Sequence, residues 1–96
     1  MEISLERAQQ IVGCIAHEMS KADIDIPDIE LEVSTYQDFL DKVDILTTAL
    51  AGTVWDKITK KEYFDTLRIE GGISQAEIDY LTDLGVLHKP KFKGEN

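Results

Sequence analysis

The chain is poor in the residues that fasten small folds by chemistry. It holds one cysteine, Cys14, in 96 residues, so no internal disulfide can form and a cytoplasmic setting is expected. With His17 and His88 as the two histidines, soft ligands are too few for a structural zinc, which takes four. Long apolar runs are missing as well. The longest stretch without a charge is "ILTTALAGTVW", 11 residues, against the roughly 20 needed to cross a bilayer. "MEISLER" lacks the basic start and apolar run of a secretory signal. Neither a glycine-rich phosphate loop nor an HExxH or GxSxG motif occurs, so no cofactor and no catalytic activity is expected.

Cations are scarce too. Ten Lys and Arg face 19 Asp and Glu, a net charge of −9. The excess is uneven: residues 1–34 carry eight acids and two bases, 35–57 carry four and two, and 58–96 carry seven and six. The end, "HKPKFKGEN", is locally basic. Such a field repels nucleic acid and anionic lipid over most of the surface. Direct nucleic-acid or membrane binding is therefore not expected.

What is present is helical periodicity. With 43% hydrophobic and 30% charged residues, the composition is that of one globular domain. A chain of this length buries roughly 60–65% of the surface its unfolded form exposes, enough for a modest core. From Ser4, an N-cap residue, Leu5, Ala8, Ile11, Val12, Ile15, Ala16, Met19 and Ala22 recur on one helical face. This predicts a helix over about 5–21. Tyr36, Phe39, Leu40, Val43, Leu46, Leu50 and Val54 do the same for a helix over about 35–57, capped by Ser34 or Thr35 with Gln37 or Asp38 as reciprocal partner. Gly52 offers it an earlier stop.

Two shorter helices, about 60–68 and 75–84, follow from an echo 15 residues apart. "ITKKEY" and "ISQAEI" each hold a capping box, Thr59 with Glu62 and Ser74 with Glu77. Each also holds a hydrophobic staple, Ile58 with Tyr63 and Ile73 with Ile78. Gly71 and Gly72 separate the two helices, and Gly85 is the expected left-handed residue after the second.

Between the first two helices the period changes from 3.6 to 2. In "DIDIPDIELEV", Ile29, Leu31 and Val33 alternate with Asp28, Glu30 and Glu32, which predicts a half-buried strand, with Pro27 at its start or on an edge. The internal partner proposed by charge is the stretch 86–92, with Lys89 and Lys91 opposite Glu30 and Glu32; the alternative is two extended loops. The expected architecture is mainly α: four helices, at most a short two-stranded β element (29–33 with 86–92), a compact domain over 1–87 and a basic tail over 88–96.

"GGISQAEIDYL" has the outline of a DNA-reading helix-turn-helix entry, but the chemistry opposes it. Arg68 stands four before the turn glycine, where a small residue is needed for helix contact. The would-be reading helix presents Gln75, Glu77, Asp79 and Asp83 with no Lys or Arg, while phosphate neutralisation supplies most affinity for DNA. Cys14 and His17, three apart, lack the helix N-terminus and third residue that would activate a thiol. "DIDIPD" opens like a calcium loop, yet Asp28 and Ser34 stand where the loop needs Gly and Glu. The order strand, long helix, "KITKKEYF" over about 29–67 resembles the C-terminal parts of tailed-phage portal proteins. The shared pattern is helix capping, and it carries no residue roles.

Some residues exceed the needs of a core. Ile45 lies opposite the apolar face of the long helix, Trp55 lies about 100° from its centre, and Phe64 adjoins Tyr63 on a helix too short to bury both. Aromatic residues anchor interfaces, and a strand edge at 29–33 accepts a partner strand. The expectation is a non-catalytic protein that binds another protein or itself, as adaptor, inhibitor or regulatory subunit, with Trp55, Phe64, Ile45, Glu30 and Glu32 as candidate contacts. Two alternatives remain open: an acidic inhibitor or immunity-type protein that imitates nucleic-acid charge, and a structural subunit of an assembly such as a phage particle.

Overall fold

The computed structural model describes residues 2–21, 23–51, 54–55, 60–69, 71–88 and 91–92, with backbone alone at 54, 55, 60, 62, 91 and 92. Four helices make up most of it: α1 (Leu5–Lys21), α2 (Tyr36–Ala51), α3 (Lys60–Ile69) and α4 (Gln75–Asp83). The protein is a small, mainly α domain. Ala8, Ile11, Val12, Ile15, Ala16 and Met19 of α1 are buried, as their spacing predicts, while Leu5 at its start stays exposed. All of these buried residues but Ala16 join Phe39, Val43, Leu46 and Leu50 of α2, Tyr63 and Leu67 of α3, and Ile73, Ile78 and Leu81 at α4 in one core. None of the four helices is long and apolar enough to cross a membrane.

Local signals fix the helix ends. Ser4 Oγ accepts from the Arg7 amide at 3.1 Å, starting α1. Thr35 Oγ1 accepts from the Asp38 amide at 3.0 Å, and the Asp38 carboxylate accepts in return from the Ser34 amide, also at 3.0 Å. The reciprocal bond thus reaches one residue before the cap. Ser74 and Glu77 form the full capping box of α4, with Ile73 and Ile78 both buried beside it. Thr59 and Ile58 of the earlier echo lie outside the described residues.

Helices α1 and α4 both end in the same way. After α4, Gly85 (φ +79°) donates to Thr82 O and Val86 donates to Leu81 O; after α1, Asp23 (φ +58°) donates to Ser20 O and Ile24 donates to Met19 O. Both are Schellman stops. Gly71 is required for a different reason: a Cβ there would sit 2.7 Å from the Leu67 carbonyl oxygen, inside contact distance.

The β expectation needs correction. Residues 29–33 are extended but join no ladder. The period of two is honoured by the side chains, since Ile29, Leu31 and Val33 pack on the core while Glu30 and Glu32 stay exposed. The backbone, however, is held by side chains instead of a strand. Gln9 of α1 donates from Nε2 to Leu31 O (2.8 Å) and accepts at Oε1 from the Val33 amide (2.6 Å). Lys42 Nζ of α2 bonds Glu32 O.

Val33, three residues before α2, is thus tied to the second turn of α1. The two helices start at the same end, and the link must return along the 17-residue, roughly 25 Å length of α1 as an extended strap.

A two-residue parallel pairing occurs elsewhere, between β1 (Val54–Trp55) and β2 (Lys91–Phe92), with Val54 opposite Lys91. Lys91 therefore does not face Glu30 or Glu32, and Lys89 lies outside the described residues. The same pairing corrects the end of α2, whose last described residue is Ala51 rather than 57. Val54 keeps helical phase in sequence but stands in an extended strand. Its β-branched side chain and the neighbouring Trp55 suit a pleated backbone better than a helix end.

Candidate functional site

The candidate contacts fall in different environments. Ile45 is 42% exposed, so it is not covered by a second layer of core. Glu30 and Glu32 point outward from the strap. Phe64 is half-buried against the core, its ring edge-on to buried Tyr63 at 5.1 Å. Trp55 contributes its backbone to β1, and its side chain lies outside the described atoms.

The structure brings the strap at Glu32 to the face of α2 that carries Ile45. Lys42, Ile45 and Ala49 form a stripe on α2 at i, i+3 and i+7. Because Lys42 holds the Glu32 carbonyl, Ile45 lies one turn beyond the point where the strap meets α2. Along the strap, Asp23, Asp25, Asp28, Glu30 and Glu32 are all exposed. Ile26 stands among them, 38% exposed. Its exposure has a local cause: the Ile29 amide turns back to Pro27 O at 2.8 Å, a three-residue turn that breaks the phase of the alternation. Strand addition to 31–33 is disfavoured, since Gln9 holds one side of its backbone and Lys42 holds Glu32 O on the other.

Other polar residues serve the fold. Thr47, fully buried on α2, has one hydroxyl hydrogen shared between Val43 O (2.7 Å) and Val86 O (2.9 Å), and its Oγ1 accepts from the His88 amide (3.0 Å). His88 Nε2 lies 2.7 Å from Asp44 Oδ1. Residues 86–88 are thereby docked on α2, and a lone threonine in an apolar face gave little warning of it. Arg68 bonds Gln75 Oε1 at 2.6 Å and also Asp65, tying α3 to α4 where a helix-turn-helix would need a small residue. Cys14 is half-buried and His17 exposed. Among the described residues no three of His, Cys, Asp or Glu gather as metal ligands.

The strongest electrostatic feature is the Arg7–Glu77 pair. Arg7 Nε and Nη2 grip both oxygens of Glu77 at 2.8 and 2.7 Å, while Nη2 also donates to Gly72 O at 2.7 Å. Glu77 is 8% exposed. The guanidinium holds its carboxyl down to about 2 against the opposing effect of burial, with help from the Ser74 amide. Sequence marks Glu77 as a cap but gives no sign of Arg7, seventy residues away. Comparison with protein-family models, with curated proteins and with solved structures finds no match to this chain.

Proposed function

We propose that the protein is a non-catalytic binding protein, acting in the cytoplasm, whose partner is another protein. The observation that carries this reading is the exposure of Ile45 beside the acidic strap. A helix covered on its other face gains nothing for its own packing from an isoleucine there. An exposed apolar side chain flanked by carboxylates matches a partner whose apolar pocket is rimmed by Lys and Arg, because the rim charges steer while the apolar contact supplies most of the affinity. Phe64 and Trp55 belong to the same proposed set as aromatic anchors.

The test is retention of a partner on immobilised protein at low and high salt. Ile45→Ser and Trp55→Ala are expected to lower retention at least tenfold, with binding persisting at high salt. The row of strap carboxylates favours a second reading, an inhibitor that imitates nucleic-acid charge. That reading requires retention to collapse with salt and to ignore Ile45→Ser. A self-assembling subunit, the third possibility, would sediment as an oligomer at micromolar concentration.

A further inference from the structure

At the end of the molecule where α1 and α2 begin, an open pocket of about 330 Å³ is lined by Glu2, Ile3, Tyr36 and Tyr80. Ile3 is buried and forms the apolar side, while Glu2 is exposed at the mouth. The hydroxyls of Tyr36 and Tyr80 meet, so one donates to the other and both keep oxygen lone pairs. The Tyr36 ring lies against Phe39 at 5.9 Å with 54° between the planes, and the residue remains 36% exposed. Partial burial and the bond to Tyr80 push its phenol up to about 12, so it stays neutral at ordinary pH.

The described lining of the pocket carries one charged side chain, the Glu2 carboxylate. Two helix starts each bring roughly +0.5 of a charge; Glu6 and Asp38 stand in their first turns, and Asp38 is itself paired with Lys42 at 3.0 Å. Tyr80 belongs to the last turn of α4, the negative end of that helix. Glu2 thus remains the one formal charge among the described lining residues, which include no Lys, Arg or His. The volume lies at the low end of the roughly 300–1,000 Å³ typical of small-molecule sites, which suits a single head group.

We propose that this pocket binds an organic cation, an alkylammonium or guanidinium group. Glu2 is its counter-charge, the Tyr36 ring its π surface, and the two phenol oxygens its hydrogen-bond acceptors. The cation comes either from a free small molecule or from a Lys or Arg side chain of a partner polypeptide. The proposal shares no residue with the Ile45 surface, and either can fail without the other.

The test is an NMR titration of the protein, labelled at tyrosine rings, with ethylguanidinium and ethylammonium chloride, using sodium chloride as control. Saturable shifts of the Tyr36 and Tyr80 ring signals are expected, with a dissociation constant of roughly millimolar order. Glu2→Gln, an exposed change that leaves the fold intact, weakens binding about fivefold, and Tyr36→Leu abolishes it. N-acetylarginine amide binding several-fold more tightly than ethylguanidinium assigns the site to a partner's side chain; equal affinity assigns it to a free cation. Shifts that never saturate, that sodium chloride reproduces, or that Glu2→Gln leaves unchanged overturn the proposal.

Discussion

The strap over 23–34 and the return over 71–74 into α4 are both gripped by the first turns of α1, on opposite flanks. Gln9 holds the strap through a neutral carboxamide, and Arg7, about 200° away around the helix, holds the return through a guanidinium on Gly72 O and Glu77. The return is also specified from within: Ser74 caps α4, Glu77 answers it, and Gly71 fits under the Leu67 carbonyl. The strap has far less of its own. Asp23 bears the left-handed turn that Gly85 occupies after α4, and its extended backbone depends on Gln9 and Lys42. A segment with local reinforcement keeps its shape when one distant contact is lost, whereas a segment held by distant side chains does not.

Three outcomes test that contrast, the largest first. Gly71→Ala forces a methyl group against backbone that cannot step aside, and is expected to cost about 2–3 kcal/mol in urea denaturation. Loss of less than about 0.5 kcal/mol would mean that the turn is not tightly specified.

The second concerns acid. The folded Glu77 carboxyl sits near 2, below its usual 4.5. Its contribution is therefore complete above about 4.5 and is lost as pH falls from there toward 2. With Arg7 still reaching solvent, screening limits the contribution to about 1–2 kcal/mol. The stability of the native chain should fall through this window by that amount more than that of Glu77→Gln, and parallel curves would discount the ion pair.

The smallest effect is at the strap. Gln9→Ala removes two hydrogen bonds and is expected to cost about 1 kcal/mol. Amide exchange at Val33 should rise at least tenfold, while exchange in α4 is unchanged. Equal acceleration in both places would show the strap and the return to be one cooperative unit.

The contrast also explains what could be read early. The span of α1, the start of α2 at Thr35, the Ser74 box and the stop at Gly85 depend on residues within a few positions of one another, so the sequence displays them. The strand reading of 29–33 was half right for the same reason: alternation records which side chains face the core, but not what satisfies the backbone between them. Gln9 gave no signal, because a glutamine on the polar side of a helix is ordinary until a carbonyl and an amide two residues apart arrive beside it. Thr47, Arg7 and the Tyr36–Tyr80 pair were hidden likewise, each partnered at a separation of 39 to 70 residues. The exposure of Ile45 was not decided by its place on the wheel, because a helix covered on two sides, which would make Ile45 core, has the same pattern.

Sequence by itself therefore determined four amphipathic helices, the caps at Ser4, Thr35 and Ser74, and an acidic surface, since periodicity, capping chemistry and charge are properties of near neighbours. Tertiary structure alone decided that α1 and α2 start at the same end and that the strap is held by Gln9 and Lys42. It alone brought Glu2, Tyr36 and Tyr80 around one pocket. Each of these depends on where distant segments come to rest, and that is fixed only when a shared core forms.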